Sequence, residues 1–167
     1  MEQSIVQRAK KIKLIILDVD GVLTDGSIVL DNDGNELKSF NVRDGYAIKR
    51  ALNAGYTIAL ITGRYSKVVQ RRADELGITD VYQGSLDKNS AYQEILTKYR
   101  FVHEEAAYMG DDLIDLVVMK QVGLPAAPQD GDSSVIKEAL FISKNNGGRG
   151  AVREFIEFIL KSTGKWD

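Results

Sequence analysis

A chain of 167 residues, 44% hydrophobic and 28% charged with two prolines, suits one compact domain with an ordinary buried core. Its net charge of −2 offers no basic field to attract nucleic acid or an anionic membrane, and the absence of cysteine excludes disulfides, thiolate catalysis and zinc–thiolate sites. No apolar run reaches the ~18 residues of a membrane span, and residues 1–13 are too mixed and charged for a signal peptide, so a cytoplasmic protein is expected.

The first element is the run Ile-Lys-Leu-Ile-Ile-Leu at 12–17, closed by Asp18, Asp20 and Gly21. A run apolar on both faces, too short for a helix and ended by glycine, predicts a buried parallel strand. Residues 27–30 and 36–40 flank Asp31-Asn32-Asp33-Gly34, a turn signal that predicts a β-hairpin inserted just after that strand. A helix is expected over 44–54, capped by Asp44 and stopped at Gly55. A second strand follows at 57–62, then a helix over 67–76 that stops at Gly77, a short strand at 80–82 and a helix over 88–99. The third long strand, 106–109, runs into Gly110-Asp111, with a helix expected over 112–120. Short strands at 124–126 and 140–142 and helices at 133–139 and 151–161 complete the pattern. Strands alternating with helices of about ten residues imply a doubly wound α/β fold with a parallel sheet. Residues 1–167 read as one domain with a hairpin insert at about 27–40, no large cap domain, and a mobile C-terminal segment from about 145.

In open parallel sheets ligands bind beyond the carboxyl ends of the strands. Asp18 and Asp20 follow the first strand, Thr62-Gly63-Arg64 the second, Gly110-Asp111-Asp112 and then Asp115 the third, and Lys88 opens a helix on the same rim. Hard carboxylate and carbonyl oxygens with no imidazole or thiolate beside them are a magnesium-type donor set: the carboxylates of Asp18 and Asp111 and the backbone carbonyl of Asp20. Asp18 can attack phosphorus, while Lys88 and the cation offset the charge, Thr62 donates to a phosphoryl oxygen, and Asp20 moves the proton. Taken alone, each piece has a plainer reading. Lys88 reads as a solvated helix-start lysine, Thr62-Gly63 as a turn, and Asp112 and Asp115 as a cap and a first-turn acid that can also support the metal through water. No dinucleotide fingerprint or Walker loop is present.

Taken in order, Asp18-Val-Asp20-Gly-Val-Leu-Thr24, Thr62-Gly63-Arg64, Lys88 and Gly110-Asp111-Asp112-Leu-Ile-Asp115 resemble the four motifs of the haloacid dehalogenase superfamily. The segments Asn41-Val42-Arg43-Asp44-Gly45-Tyr-Ala-Ile-Lys49 and Gly147-Gly-Arg149-Gly-Ala-Val-Arg153 narrow the resemblance to phosphatases of phosphorylated keto-acid sugars that supply lipopolysaccharide. The likeness covers about residues 13–165, and Ala47 departs from it where many relatives carry glycine. It implies a Rossmann-like core, Mg2+ on Asp18, Asp20 and Asp111, and catalysis by Asp18, Asp20, Thr62 and Lys88. It further implies substrate contacts by Asp20, Asn41, Val42, Arg43, Asp44, Gly45, Lys49, Arg64, Arg72, Lys88 and Arg149, and a homotetramer that shares its sites between subunits. Two readings compete with it: a phosphatase for a nine-carbon sialic-type keto acid, opposed by Arg64, and a non-catalytic oligomerisation domain, opposed by the intact aspartates and Lys88.

Overall fold

The computed structural model describes residues 2–166. In chain order the elements begin with α1 (Glu2–Ala9), β1 (Leu14–Leu17), β2 (Val29–Leu30), β3 (Glu36–Leu37) and α2 (Val42–Asn53). There follow β4 (Thr57–Ile61), α3 (Lys67–Leu76), β5 (Asp80–Tyr82), α4 (Lys88–Tyr99) and β6 (Ala106–Met109). The chain then runs through α5 (Leu116–Met119), β7 (Leu124–Ala127), α6 (Ser133–Glu138), β8 (Phe141–Ile142) and α7 (Ala151–Ser162). Six strands form one sheet in the order β5-β4-β1-β6-β7-β8, parallel throughout, so the expected doubly wound architecture is present.

The apolar strands face two layers at once, which is why they carry no polar alternation. Ile15 and Leu17 of β1 pack into a layer built by α1, α2, α3 and α7; Leu14 and Ile16 pack against α4, α5 and α6. Each such side chain removed from water contributes about 1.5–3 kcal/mol, which anchors β1 at the centre of the sheet. β2 and β3 pair separately as an antiparallel hairpin, its turn closed by Asp31 Oδ1, which accepts from the amides of Asp33 and Asn35.

Three local readings change. Asp44 does not cap α2: that helix starts earlier, capped by Asn41, whose side chain accepts from the amides of Arg43 and Asp44. Asp44 is buried instead, and its Oδ1 accepts from the amide of Arg153, so it caps α7 from a distance where Gly150 has no side chain to do so. The helix expected over 112–120 is a 3₁₀ turn at Leu113–Asp115 followed by short α5. The Asp115 carboxylate accepts from the amides of Asp111 and Asp112 and tightens that first turn. Finally, α1 was not foreseen in a stretch that reads as mixed and charged; Ile5 and Ala9 seat it on the layer that holds α7.

Candidate active site

Asp18 follows β1 in the parity of Leu14 and Ile16, which directs its side chain to the α4 layer. There Lys88, the first residue of α4, is almost wholly buried, its Nζ 3.1 Å from Asp18 Oδ2 and 2.6 Å from Asp115 Oδ1. Lys88 Nζ also donates to the Tyr108 hydroxyl at 3.4 Å, and that hydroxyl donates to Asp115 Oδ1. Burial alone would lower the pKa of Lys88, but the Asp18 and Asp115 carboxylates outweigh it and hold it above its ordinary value. A buried ammonium between two carboxylates is costly to assemble, and breaking it leaves an uncompensated charge.

Asp111, after β6, faces the same point. Asp18, Asp111 and Asp115 each offer a carboxylate oxygen within 4.8 Å of the others. Burial, then the Asp115 charge, raises the pKa of Asp18 to about 7, with Lys88 opposing; burial, then Asp18, Asp115 and Asp112, raises Asp111 to about 8. Asp111 Oδ1 is buried with no hydrogen-bond partner. The Asp115 oxygens, by contrast, already accept from Lys88, Tyr108 and two amides, which fills a carboxylate's capacity. The groups free to hold a cation are therefore Asp18 and Asp111, and these crowded, oxygen-only donors fit a hard divalent ion. Asp115 fixes Lys88 and the Asp111 turn. Asp112 is exposed and caps the turn, its Oδ1 accepting from the Leu113 amide.

Asp18, Asp20, Gly26, Thr62, Gly63, Arg64, Asp111, Asp112 and Ile114 line a cavity of about 260 Å³ at this rim. A groove of about 540 Å³ among Lys10, Lys13 and Tyr56 is larger but involves none of these groups, so size alone selects the wrong place. Asp20 Oδ1 lies 2.5 Å from Lys38 Nζ, and its Oδ2 is 4.0 Å from Arg64 Nη1. Arg64 in turn reaches Glu36 at 2.9 Å.

The loop after β1 is held by backbone. Thr24 Oγ1 accepts from the amides of Gly21 and Gly26, and Gly21 has φ +85°. A Cβ on Gly21 would stand 1.9 Å from Asp111 Oδ2, so any side chain there would displace a cavity carboxylate. Gly147 and Gly148 lie directly on this loop: the Gly148 amide donates to Val22 O, and a Cβ on Gly147 would meet Gly21 O at 1.8 Å.

The structure thus gathers Asp18, Asp20, Thr62, Arg64, Lys88, Asp111, Asp112 and Asp115 at one rim. The other expected substrate contacts lie elsewhere within the chain. Val42, Gly45, Lys49 and Arg72 line a separate shallow groove of about 490 Å³, with Arg72 over the Phe40 ring at 5.7 Å. Asn41 and Asp44 are engaged in helix capping, and Arg43 is exposed. Arg149 is exposed with Asp25 3.6 Å away. Sequence reading missed Tyr108, Lys38 and Glu36, and gave Thr24 no role beyond its place in the first motif. Tyr108 had a signal, since a tyrosine inside an apolar strand, just before Gly110-Asp111, needs a buried partner for its hydroxyl.

Comparison with known proteins agrees with this geometry. Residues 67–156 match the haloacid dehalogenase-like hydrolase family. The chain is 48% identical over 163 residues to the 3-deoxy-D-manno-octulosonate 8-phosphate phosphatase of Escherichia coli (strain K12), covering 98% of this chain and 87% of that protein. The crystal structure of the Yersinia pestis phosphatase of that name superposes with a TM-score of 0.96 at 48% identity, over 97% of this chain and 88% of that one. The Moraxella catarrhalis phosphatase, solved in complex with magnesium ion, phosphate ion and a KDO molecule, superposes with a TM-score of 0.95 at 40% identity, over 97% of this chain and 93% of that one. The chain belongs to the haloacid dehalogenase-like hydrolases, in the branch that holds the 3-deoxy-D-manno-octulosonate 8-phosphate phosphatases.

Proposed function

We propose that this chain hydrolyses 3-deoxy-D-manno-octulosonate 8-phosphate to the free sugar acid and phosphate, a step that supplies the inner sugar of lipopolysaccharide. The observation that carries the reading is the buried Lys88 held between Asp18 and Asp115, beside the unpartnered Asp111 Oδ1. A site of this build presents a nucleophilic carboxylate together with the positive charge needed to bring a phosphate dianion against it. Asp18 Oδ attacks phosphorus and the bond to the sugar oxygen breaks, while Asp20 gives that oxygen its proton. Asp20 then takes a proton from the water that attacks the aspartyl-phosphate, and inorganic phosphate leaves Asp18 as a free carboxylate. Lys88 and the Thr62 hydroxyl contact the phosphoryl oxygens. Mg2+, when held by Asp18, Asp111 and the Asp20 carbonyl, neutralises charge between nucleophile and phosphoryl group. Arg64, at the mouth of the cavity, is the group suited to the sugar's carboxylate.

Assembly belongs to the same reading. The hairpin exposes Ile28, Val29, Leu30 and Leu37, a large apolar share for a two-stranded ribbon that is marginal alone. A homotetramer in which hairpins pack together would cover them and would let Arg72, Lys49 and Arg149 of one subunit approach a neighbour's cavity. A cytoplasmic location is proposed with it, because a sugar-acid phosphate is a polyanion that is consumed in the compartment that makes it. Among the described residues, no helix is long and apolar enough to cross a membrane. The decisive experiment measures phosphate release from a panel of sugar-acid phosphates with and without Mg2+. The eight-carbon 8-phosphate is expected to have the highest kcat/KM, with no turnover after chelation. A nine-carbon keto-acid phosphate turning over faster would replace the substrate, and release from none of them would leave a binding module.

A further inference from the structure

The residues of the inserted hairpin were read only as a turn and two short strands, yet one edge of it reaches Asp20 and Arg64 of the cavity wall. From Glu36 to Phe40 burial alternates: Leu37 and Ser39 are exposed, while Glu36, Lys38 and Phe40 turn inward, the period expected of extended chain. The Lys38 side chain is only 1% exposed, which is unusual for a lysine unless its charge is matched. Its Nζ lies 2.5 Å from Asp20 Oδ1 and 3.2 Å from Glu36 Oε1, and Glu36 Oε1 is also 2.9 Å from Arg64 Nη2. The four groups form a continuous row, Asp20–Lys38–Glu36–Arg64. No element of the parallel sheet contributes Lys38 or Glu36; both arrive on β3 and the residue after it.

We infer that Lys38 is a positioning residue for the phosphatase reaction: it fixes the rotamer of Asp20 so that Asp20 Oδ2 faces the leaving oxygen and then the attacking water. Glu36 is the brace that keeps Lys38 in place and holds Arg64 at the mouth of the cavity. The inference rests on the phosphatase reading given above. Its physical basis is simple. Asp20 stands beyond the strand end, in a loop rather than on a rigid element, and an aspartate there has several staggered rotamers open to it. One oxygen tied to a buried ammonium leaves the other, with only Arg64 Nη1 4.0 Å away, aimed into the cavity, and small errors of placement at a reacting centre cost rate steeply. The geometry also ties the outer, apolar edge of the hairpin to the proton-transfer group through alternate residues of one short strand, Leu37 outward and Lys38 inward.

The test uses Mg2+-loaded full-length protein and two leaving groups. A sugar alkoxide needs a proton to depart; p-nitrophenolate does not. Lys38→Met is expected to lower kcat for the sugar-acid phosphate about 10- to 100-fold, a fraction of the ~10²–10⁴ that proton transfer contributes, with KM little changed. With p-nitrophenyl phosphate the same variant should release about one nitrophenolate per site in a fast first phase and then slow. Phosphorylation of Asp18 proceeds there without an acid, and only the hydrolysis of the aspartyl-phosphate waits on Asp20. Lys38→Arg should recover most of the alkyl-phosphate rate. A merely structural lysine would instead lower the rate on both substrates to the same extent, with no burst on p-nitrophenyl phosphate. Should Lys38→Met lose its fold by circular dichroism, Lys38→Gln, polar and of similar length, carries the same two assays. Unchanged kcat on the sugar-acid phosphate, or equal losses on both substrates with no burst, would overturn the inference. Asp20→Asn run in parallel separates the two failures: if it shows the burst and Lys38→Met does not, the positioning role alone is wrong. If neither shows it, the acid–base role of Asp20 falls as well.

Discussion

Two groups of polar side chains near the strand ends are built in opposite ways. Around Asp18 the charges are buried and matched: Lys88 serves Asp18 and Asp115, Tyr108 serves Asp115, and the Asp115 oxygens hold the turn that carries Asp111. Around α2 and α3 the cations are exposed or loosely held: Lys49 faces water, and Arg72 meets Glu75 at 3.4 Å and the Phe40 ring. The first group is pre-organised by low dielectric and needs nothing more than a cation for Asp18 and Asp111. The second is a surface whose charges do little for a substrate unless something brings substrate to them. The difference teaches that the proposed chemistry can be set inside one chain, whereas most of the proposed selectivity waits on what covers that surface.

The comparison breaks first at Asp18. Asp18→Asn is expected to keep the fold and to lose more than about 10³-fold in kcat, the scale lost when a covalent nucleophile is removed. Retention of several per cent of the activity in clean protein would move the nucleophile elsewhere. A step smaller is Arg64→Glu, which should raise KM for the keto-acid sugar phosphate about 10- to 100-fold, a lost charge-assisted contact of about 2 kcal/mol, while p-nitrophenyl phosphate changes little. Equal losses on both would place Arg64 on the phosphate or in the fold. Tyr108→Phe sharpens the inner side of the comparison. Losing the hydroxyl that donates to Asp115 is expected to lower stability by about 1–2 kcal/mol in denaturant melts and to lower kcat modestly, with KM unchanged. A neutral Tyr108→Phe would show that Lys88 and the two amides hold Asp115 without the hydroxyl.

The smallest expected effect is on stability against pH. Asp18 and Asp111 keep protons up to about 7 and about 8 in the fold, raised by burial from an ordinary value of 3.8. Between those limits the metal-free folded chain therefore binds more protons than the unfolded one, so these groups make it less stable as pH rises through that window. Mg2+ held by the deprotonated pair, as proposed, would offset the loss. Its stabilisation should then be larger near pH 8 than near pH 6, by a few degrees in thermal melts. The same Mg2+ shift at both values would mean that the aspartates are not the cation's ligands.

The strand ends were legible because an apolar run closed by glycine and aspartate has few other uses, and β1, β4 and β6 stop within a residue or so of where their patterns stop. The partners of those aspartates were less legible. Lys88 at a helix start looks solvated in sequence, and only the fold, by placing α4 on the face of Asp18 and Tyr108, makes it the buried centre of the site. Lys38 and Glu36 were hidden for a different reason: which face of a short hairpin turns inward depends on where the hairpin docks, and a two-residue strand has no period long enough to declare it. Asp44 shows the limit of local capping rules. An acid at a predicted helix start was drawn to the amides of another helix more than a hundred residues away.

The contact of Gly147 and Gly148 with the loop at 21–24 has a consequence for synthesis. Asp18, the proposed nucleophile, and its neighbours leave the ribosome well before residues 147 and 148, whose backbone braces their loop. A nascent chain that has reached α5 holds every carboxylate of the cavity and still lacks that brace, as well as α7, whose Phe155, Ile156 and Ile159 complete the core. Closure of that loop therefore waits for residues 147 and 148 to be made. A stalled or truncated product that still carries Asp18, Asp20, Lys88 and Asp111 would bind cations and phosphate poorly and release little of what it bound.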